Sequence, residues 1–246
     1  MRTSNPALND QAFRGEGVAI GDAMTLPGTV NKTGILLTCT VATAAWTWNL
    51  FLHSPSVATV APPMLGGLIG GLIFAFVTIY KKTWAPITAP IYALLEGLVL
   101  GSVSAILELR FHGIAIQAVS LTFGTLLILL LAYRSGLIRV TDKFRLGIVA
   151  ATGGIAIFYL VEIALGFFGV HFTAINGGGA IGIGFSVFVV IIASLNLVLD
   201  FDFIESGVRA GAPKYMEWYG AFGLMVTLIW LYFEILNLLS KLRSRN

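Results

Sequence analysis

Long apolar stretches of about 20 residues, separated by short polar connections, dominate this chain. Because an α-helix rises about 1.5 Å per residue and a bilayer's hydrocarbon layer is roughly 30 Å thick, each stretch is long enough to cross a membrane. The pattern predicts seven helices, near residues 33–52, 57–80, 86–107, 113–133, 146–169, 180–204 and 220–240. Strands are not expected, since outer-membrane strands are about 10 residues long and alternate in polarity. The expected fold is therefore an all-α integral membrane protein: a polar N-terminal segment, 1–32, followed by one seven-helix domain, 33–246. The apolar phase begins only at Thr33, too far along for the core of a cleaved signal peptide.

Composition sharpens the class. Of the 246 residues, 57% are hydrophobic and 11% charged, against about 25% charged in an ordinary soluble domain. That excludes a soluble globular enzyme. The net charge of +3 comes from Lys and Arg in the connections, not from a basic face that could track phosphates, so nucleic acid is not an expected partner. Cys39 is the single cysteine, which rules out an intramolecular disulfide, and no Cys/His cluster suggests zinc.

Cationic residues set the orientation. Arg2, Arg14 and Lys32 precede the first helix; Lys81 and Lys82 follow the second; Arg134, Arg139, Lys143 and Arg145 follow the fourth; Arg209 and Lys214 follow the sixth. The opposite connections hold only Arg110, which favours a cytoplasmic N-terminus and places His53, His112 and His171 outside. Lys241, Arg243 and Arg245 run against this pattern, and a re-entrant last segment would restore it. Gly66, Gly67, Gly70 and Gly71 in the second helix form two interleaved small-xxx-small pairs suited to close helix packing. Asn176 to Gly179 reads as a flexible turn, because no Lys-Ser/Thr follows to make a phosphate loop.

Carboxylates inside apolar helices are the chemically informative feature, since each is costly in a bilayer unless protonated, paired or facing water. Five are present: Glu96, Glu162, Asp200, Asp202 and Glu234. Asn196 and Asp200 lie four apart on one face of the sixth helix, and Thr227, Trp230, Glu234 and Asn237 recur at three and four on the seventh. Each stripe should face the bundle interior, where Asp200 and Glu234, brought close, would share a proton and titrate as one unit. Asn196, Asp202, Glu96 and Glu162 are possible supporting residues, with Asp202 and Glu205 nearer the interface. The blander reading makes these groups protonated structural donors. Enzymatic readings find no support: there is no HExxH, no histidine within a helix to activate a serine, no pair of helix-centred aspartates in a Gly-Asp setting, and Lys241 sits too near the terminus to carry retinal.

The run Asn196 to Glu205 (NLVLDFDFIE), with Glu217-Trp218-Tyr219 and Trp230 to Leu236 (WLYFEIL), resembles the Bax inhibitor family in its bacterial branch. The opening Met1 to Pro6 and the run Ala89 to Gly97 (APIYALLEG) fit the same branch. The resemblance covers nearly the whole chain. It implies a seventh helix surrounded by the other six, location in a bacterial plasma membrane, and a pH-sensitive calcium leak whose sensor is an acidic pair on the sixth and seventh helices. Asp200 and Glu234 stand at those positions, although the family's second member is more often aspartate. Counting along the helices sets Glu234 about one turn deeper than Asp200, an offset that an interfacial segment near 213–219 would absorb. For the basic latch that some members carry on the second helix, Lys81 and Lys82 are at the right end, but Ile79 and Tyr80 occupy the nearest positions.

The expected partners are thus the bilayer, protons and calcium as a permeant ion, with no resident cofactor. Asp200 and Glu234 would hold calcium only weakly, because that ion prefers six to eight oxygens. A proton-coupled transporter is the alternative from another class, and would call for internal inverted symmetry. A non-transporting scaffold or stress regulator is the third.

Overall fold

The computed structural model describes residues 23–169 and 172–245, all of the regular structure being helical. Arg2, Asp10, Arg14, Glu16, Asp22 and His171 lie outside the described residues. Seven helices are long and apolar enough to cross a membrane. They are α1 (Leu26–His53), α2 (Val57–Tyr80), α3 (Ala85–Arg110), α4 (Ile114–Arg134), α5 (Asp142–Gly166), α7 (Ala180–Arg209) and α8 (Met216–Ser244), with a four-residue α6 (Thr173–Asn176) in the connection before α7.

Several boundaries move outward from the hydropathy pattern, among them the starts of α1 and α8. Helix α1 starts seven residues early, at Leu26, because Thr25 caps it by accepting from the Gly28 amide and Pro27 occupies the second helical position, where its missing N–H costs nothing. Helix α8 starts at Met216, so most of the expected interfacial segment is its first turn. It then runs unbroken to Ser244, about 43 Å at 1.5 Å per residue, which makes it a full crossing and not a re-entrant hairpin.

Helix α8 is the centre of the bundle. More of it is buried than of any other crossing, and it packs against α1, α3, α4 and α7. Ser104 and Tyr232 share a hydrogen bond of 2.6 Å, and the rings of Tyr92 and Phe222 meet edge to face at 4.9 Å, fixing α3 alongside α8.

The tightest helix crossing is between α1 and α3. A Cβ on Gly97 would collide with Thr43 and the Thr40 carbonyl, and one on Gly101 with Thr47 and the Ala44 carbonyl. Across the same crossing the Thr40 hydroxyl donates to the Ala93 carbonyl at 3.0 Å and that of Thr43 to the Leu94 carbonyl at 2.8 Å. Of the four glycines expected to pack α2, Gly67 meets the Leu95 carbonyl of α3 and Gly71 the Glu96 carboxyl, whereas Gly66 faces open space.

The loops segregate to two ends. At the end where α1 begins, Met24 donates to the Ala212 carbonyl at 2.7 Å, and Lys32, Lys81, Lys82, Arg134, Arg139, Lys143, Arg145, Arg209 and Lys214 gather there. Among the described residues, the Lys and Arg at the other end are Arg110, Lys241, Arg243 and Arg245.

Candidate functional site: a polar seam along the central helix

Gly223, Thr227, Trp230, Glu234, Asn237 and Lys241 of α8 alternate in spacings of four and three, so they form one face. That face looks toward α7 and α5. Glu234 is buried; its Oε1 accepts from the Tyr159 hydroxyl of α5 at 2.9 Å and from the Trp230 indole at 3.0 Å, while its Oε2 accepts no hydrogen bond from the protein. Asn196 of α7 donates to Thr152 of α5 at 2.9 Å and to the Ile192 carbonyl at 2.8 Å. Asp200 is completely buried on α7.

The register between helices decides which carboxylates meet. Antiparallel α7 and α8 are aligned by Ile204 beside Gly220 near one end, and by Lys241 bonded to the Gly182 carbonyl and Ser186 near the other. Asp200 is therefore level with about Leu224, and Glu234 with about Val190. Helix α5 gives the same answer: Arg145 pairs with Asp202, Asn196 with Thr152, and Ile155 packs with Val189 and Ile192, so Tyr159, which holds Glu234, lies beyond the level of Asn196. Ten residues of helix, about 15 Å, separate Asp200 from Glu234 along the axis.

This corrects the expected geometry. The offset is more than two turns, not one, so the two do not form a proton-sharing pair and cannot jointly ligate one calcium. The physical reason is the short α7–α8 connection: Asp200 lies nine residues before the last residue of α7, and Glu234 eighteen after the first of α8. Among the described residues no group of three or more His, Cys, Asp or Glu side chains is assembled as a metal site.

The remaining acidic candidates divide by environment. Asp202 makes a half-buried ion pair with Arg145 at 2.7 Å and, together with Glu205, accepts from the Tyr133 hydroxyl. Glu162, near the opposite end, accepts from Asn176 of α6. Glu96 lies on the α3 side of α8, and the Tyr92–Phe222 and Ser104–Tyr232 contacts set it level with about Met225, hence at the depth of Asp200.

Two charged groups were not anticipated by the sequence pattern. Lys241, only 6% exposed, donates to the Ile175 carbonyl and Ser186 hydroxyl, both at 2.9 Å, and so ties α6 and α7 to the end of the seam. Glu217 is fully buried at the other end, where it pairs with Lys32 at 2.6 Å and Lys214 at 3.0 Å and accepts from the backbone and hydroxyl of Thr25. Lys81 stands over the ring of Trp84 and Lys82 over that of Tyr219, at the same end as Glu217.

Removing the Lys241 charge should loosen the α6 connection. Lys241→Met is expected to leave the α7–α8 core folded while raising hydrogen exchange at 173–182 by about tenfold, the equivalent of losing the one charged hydrogen bond that reaches α6, at Ile175, at roughly 1.5 kcal/mol. Unchanged exchange there would remove Lys241 from that role.

A seven-helix membrane bundle with a buried polar seam along its central helix is the class defined by this fold. The chain belongs to the Bax inhibitor 1-like family, whose model matches residues 5–244. No curated protein and no solved structure matches it.

Proposed function

We propose that this protein is a pH-responsive cation leak, with calcium as the permeant ion, in which Asp200 and Glu234 act as two separate protonatable stations on one polar seam. The observation that carries this reading is the seam itself. Asn196, Asp200, Thr227 and Glu234, all buried, and the half-buried Thr152 and Tyr159 bring oxygens and nitrogens to one line between α5, α7 and α8. Ionisable groups held inside a bilayer, such as Asp200 and Glu234, commonly mark ion or proton pathways. Glu234 adds a buried carboxyl oxygen that no protein donor satisfies, and such an atom suits a proton, a water or a passing cation. Stations held apart give each ion only a few ligands, which favours passage over storage.

The Asp202–Arg145 pair lies toward one end of the seam and Lys241 toward the other, and in this reading they act as its closures. A leak would require these closures to part. A leak of this kind would need no resident cofactor and would catalyse no reaction.

Calcium entry into proteoliposomes containing only this protein tests the reading. A pH-dependent flux is expected, changed several-fold by Asp200→Asn and by Glu234→Gln. A scaffold would give no flux above protein-free vesicles. Orientation in a bacterial plasma membrane follows from the segregation of cations: a reporter after Lys82 or Arg139 should read as cytoplasmic and one at the C-terminus as external. An external signal at Arg139 would overturn that placement.

A further inference from the structure

Beside the seam, on the other shoulder of α8, lies a crevice of about 480 Å³ between α2, α3 and α8. Its walls include Leu68, Val99, Val226, Trp230 and Phe233, and among the described residues Glu96 is the one charged residue lining it. The rim residues Leu65 and Leu68 are exposed on the apolar outer belt, so the crevice opens sideways toward lipid. An added Cβ on Gly71 would come within 2.9 Å of Glu96 Oε1, so glycine there leaves room for the carboxyl in the crevice. The Trp230 indole is held by its bond to Glu234, which keeps this aromatic wall in place.

A single carboxylate among apolar and aromatic walls is a poor metal site, since no further oxygens stand ready to complete a coordination shell. It is a good match for one positive charge on a greasy body. The carboxylate supplies the counter-charge, Trp230 and Phe233 offer cation–π partners, and desolvation makes both count for more than they would in water. We propose that this crevice is a binding site for hydrophobic monoamines or quaternary ammonium ions that enter from the bilayer, with Glu96 as the recognition residue. This does not rest on ion leakage, because Glu96 is not on the seam, although Trp230 borders both sites.

The second crevice gives an internal contrast. About 320 Å³ in volume, it lies between α1, α3, α4 and α8 and among the described residues has no charged lining residue, so it could take a neutral ligand but has nothing to select a cation.

The test is equilibrium binding of two probes to the full chain in nanodiscs of zwitterionic lipid: 1-adamantyl-trimethylammonium and its uncharged counterpart 1-adamantanol. The ammonium should bind at least tenfold more tightly than the alcohol. Glu96→Gln should abolish that preference while leaving adamantanol binding unchanged. Leu68→Trp, which fills the crevice from its exposed rim and keeps Glu96, should weaken the ammonium tenfold. Equal ammonium binding by the native chain and either variant would overturn the proposal, as would equal binding of the two probes. A failure here leaves calcium flux untouched, and an absence of flux leaves this binding untouched.

Discussion

Gly101→Leu is expected to prevent α1 and α3 from packing, with a loss of about 4 kcal/mol or more, the range reached only by substitutions that break a specific structural feature. The obstruction is backbone: a side chain at this position meets the Ala44 carbonyl and α-carbon as well as Thr47. A flexible neighbour could rotate away, but a helix backbone must move as a whole, and moving it breaks the Thr40 and Thr43 hydroxyl bonds to α3. Gly124→Leu on α4 is the matched control, since nothing lies within 4 Å of a Cβ there. Purification in mild detergent followed by thermal unfolding reads both: the first variant should aggregate or melt far below the native chain, the second within a degree or two of it. A well-behaved Gly101→Leu protein would mean that the α1–α3 approach is not as close as described.

Glu217→Ala should be the largest single loss among the charged residues, about 3 kcal/mol. Deletion strands the Thr25 amide and hydroxyl, which cap the start of α1, and leaves Lys32 and Lys214 facing each other without the anion between them. Both lysines retain contact with solvent, at 21% and 47% side-chain exposure, so the cost falls short of that for a pair sealed from water. A melting temperature lower by about 6–12 °C follows, at roughly 2–4 °C per kcal/mol for a chain of this size. Glu217→Gln should fall between, because the amide oxygen can still accept from Thr25. An unchanged melting temperature in the alanine variant would show that α1 is anchored by its crossing with α3 alone.

What the sequence made legible was whatever repeats over a helix's length. Seven crossings, the segregation of Lys and Arg, and the polar faces of α7 and α8 all come from averages over 20 residues or from fixed spacing on one helix. What it concealed depends on pairing between helices. The glycine-rich run of α2 drew attention by its density, yet the tightest crossing uses Gly97 and Gly101, which are too sparse to stand out and are marked only by the threonines of α1 opposite them. Lys241 reads as a terminal interfacial cation, and becomes buried only because α6 folds its carbonyls back over it. Glu217 could have been found from the sequence, as an acid opening an apolar helix with Lys214 three residues before it, but its tie to Lys32 spans 185 positions. The separation of Asp200 from Glu234 was hidden by the same difficulty, since it depends on where α8 begins.

The revised spacing changes what paired substitutions should do. Two carboxylates sharing a proton act as one unit, and a double change would add little to either single one. Groups about 15 Å apart along the helix axis, with different hydrogen-bond partners, should contribute independently. The direct test is a double-mutant cycle on calcium flux in proteoliposomes between about pH 6 and 8: native chain, Asp200→Asn, Glu234→Gln and both together. Each single variant should change the pH profile in its own way, and the logarithmic changes in flux should sum in the double variant. A double variant no different from either single one would put Asp200 and Glu234 in direct contact, and pH profiles unchanged in all three would remove both carboxylates from the pathway.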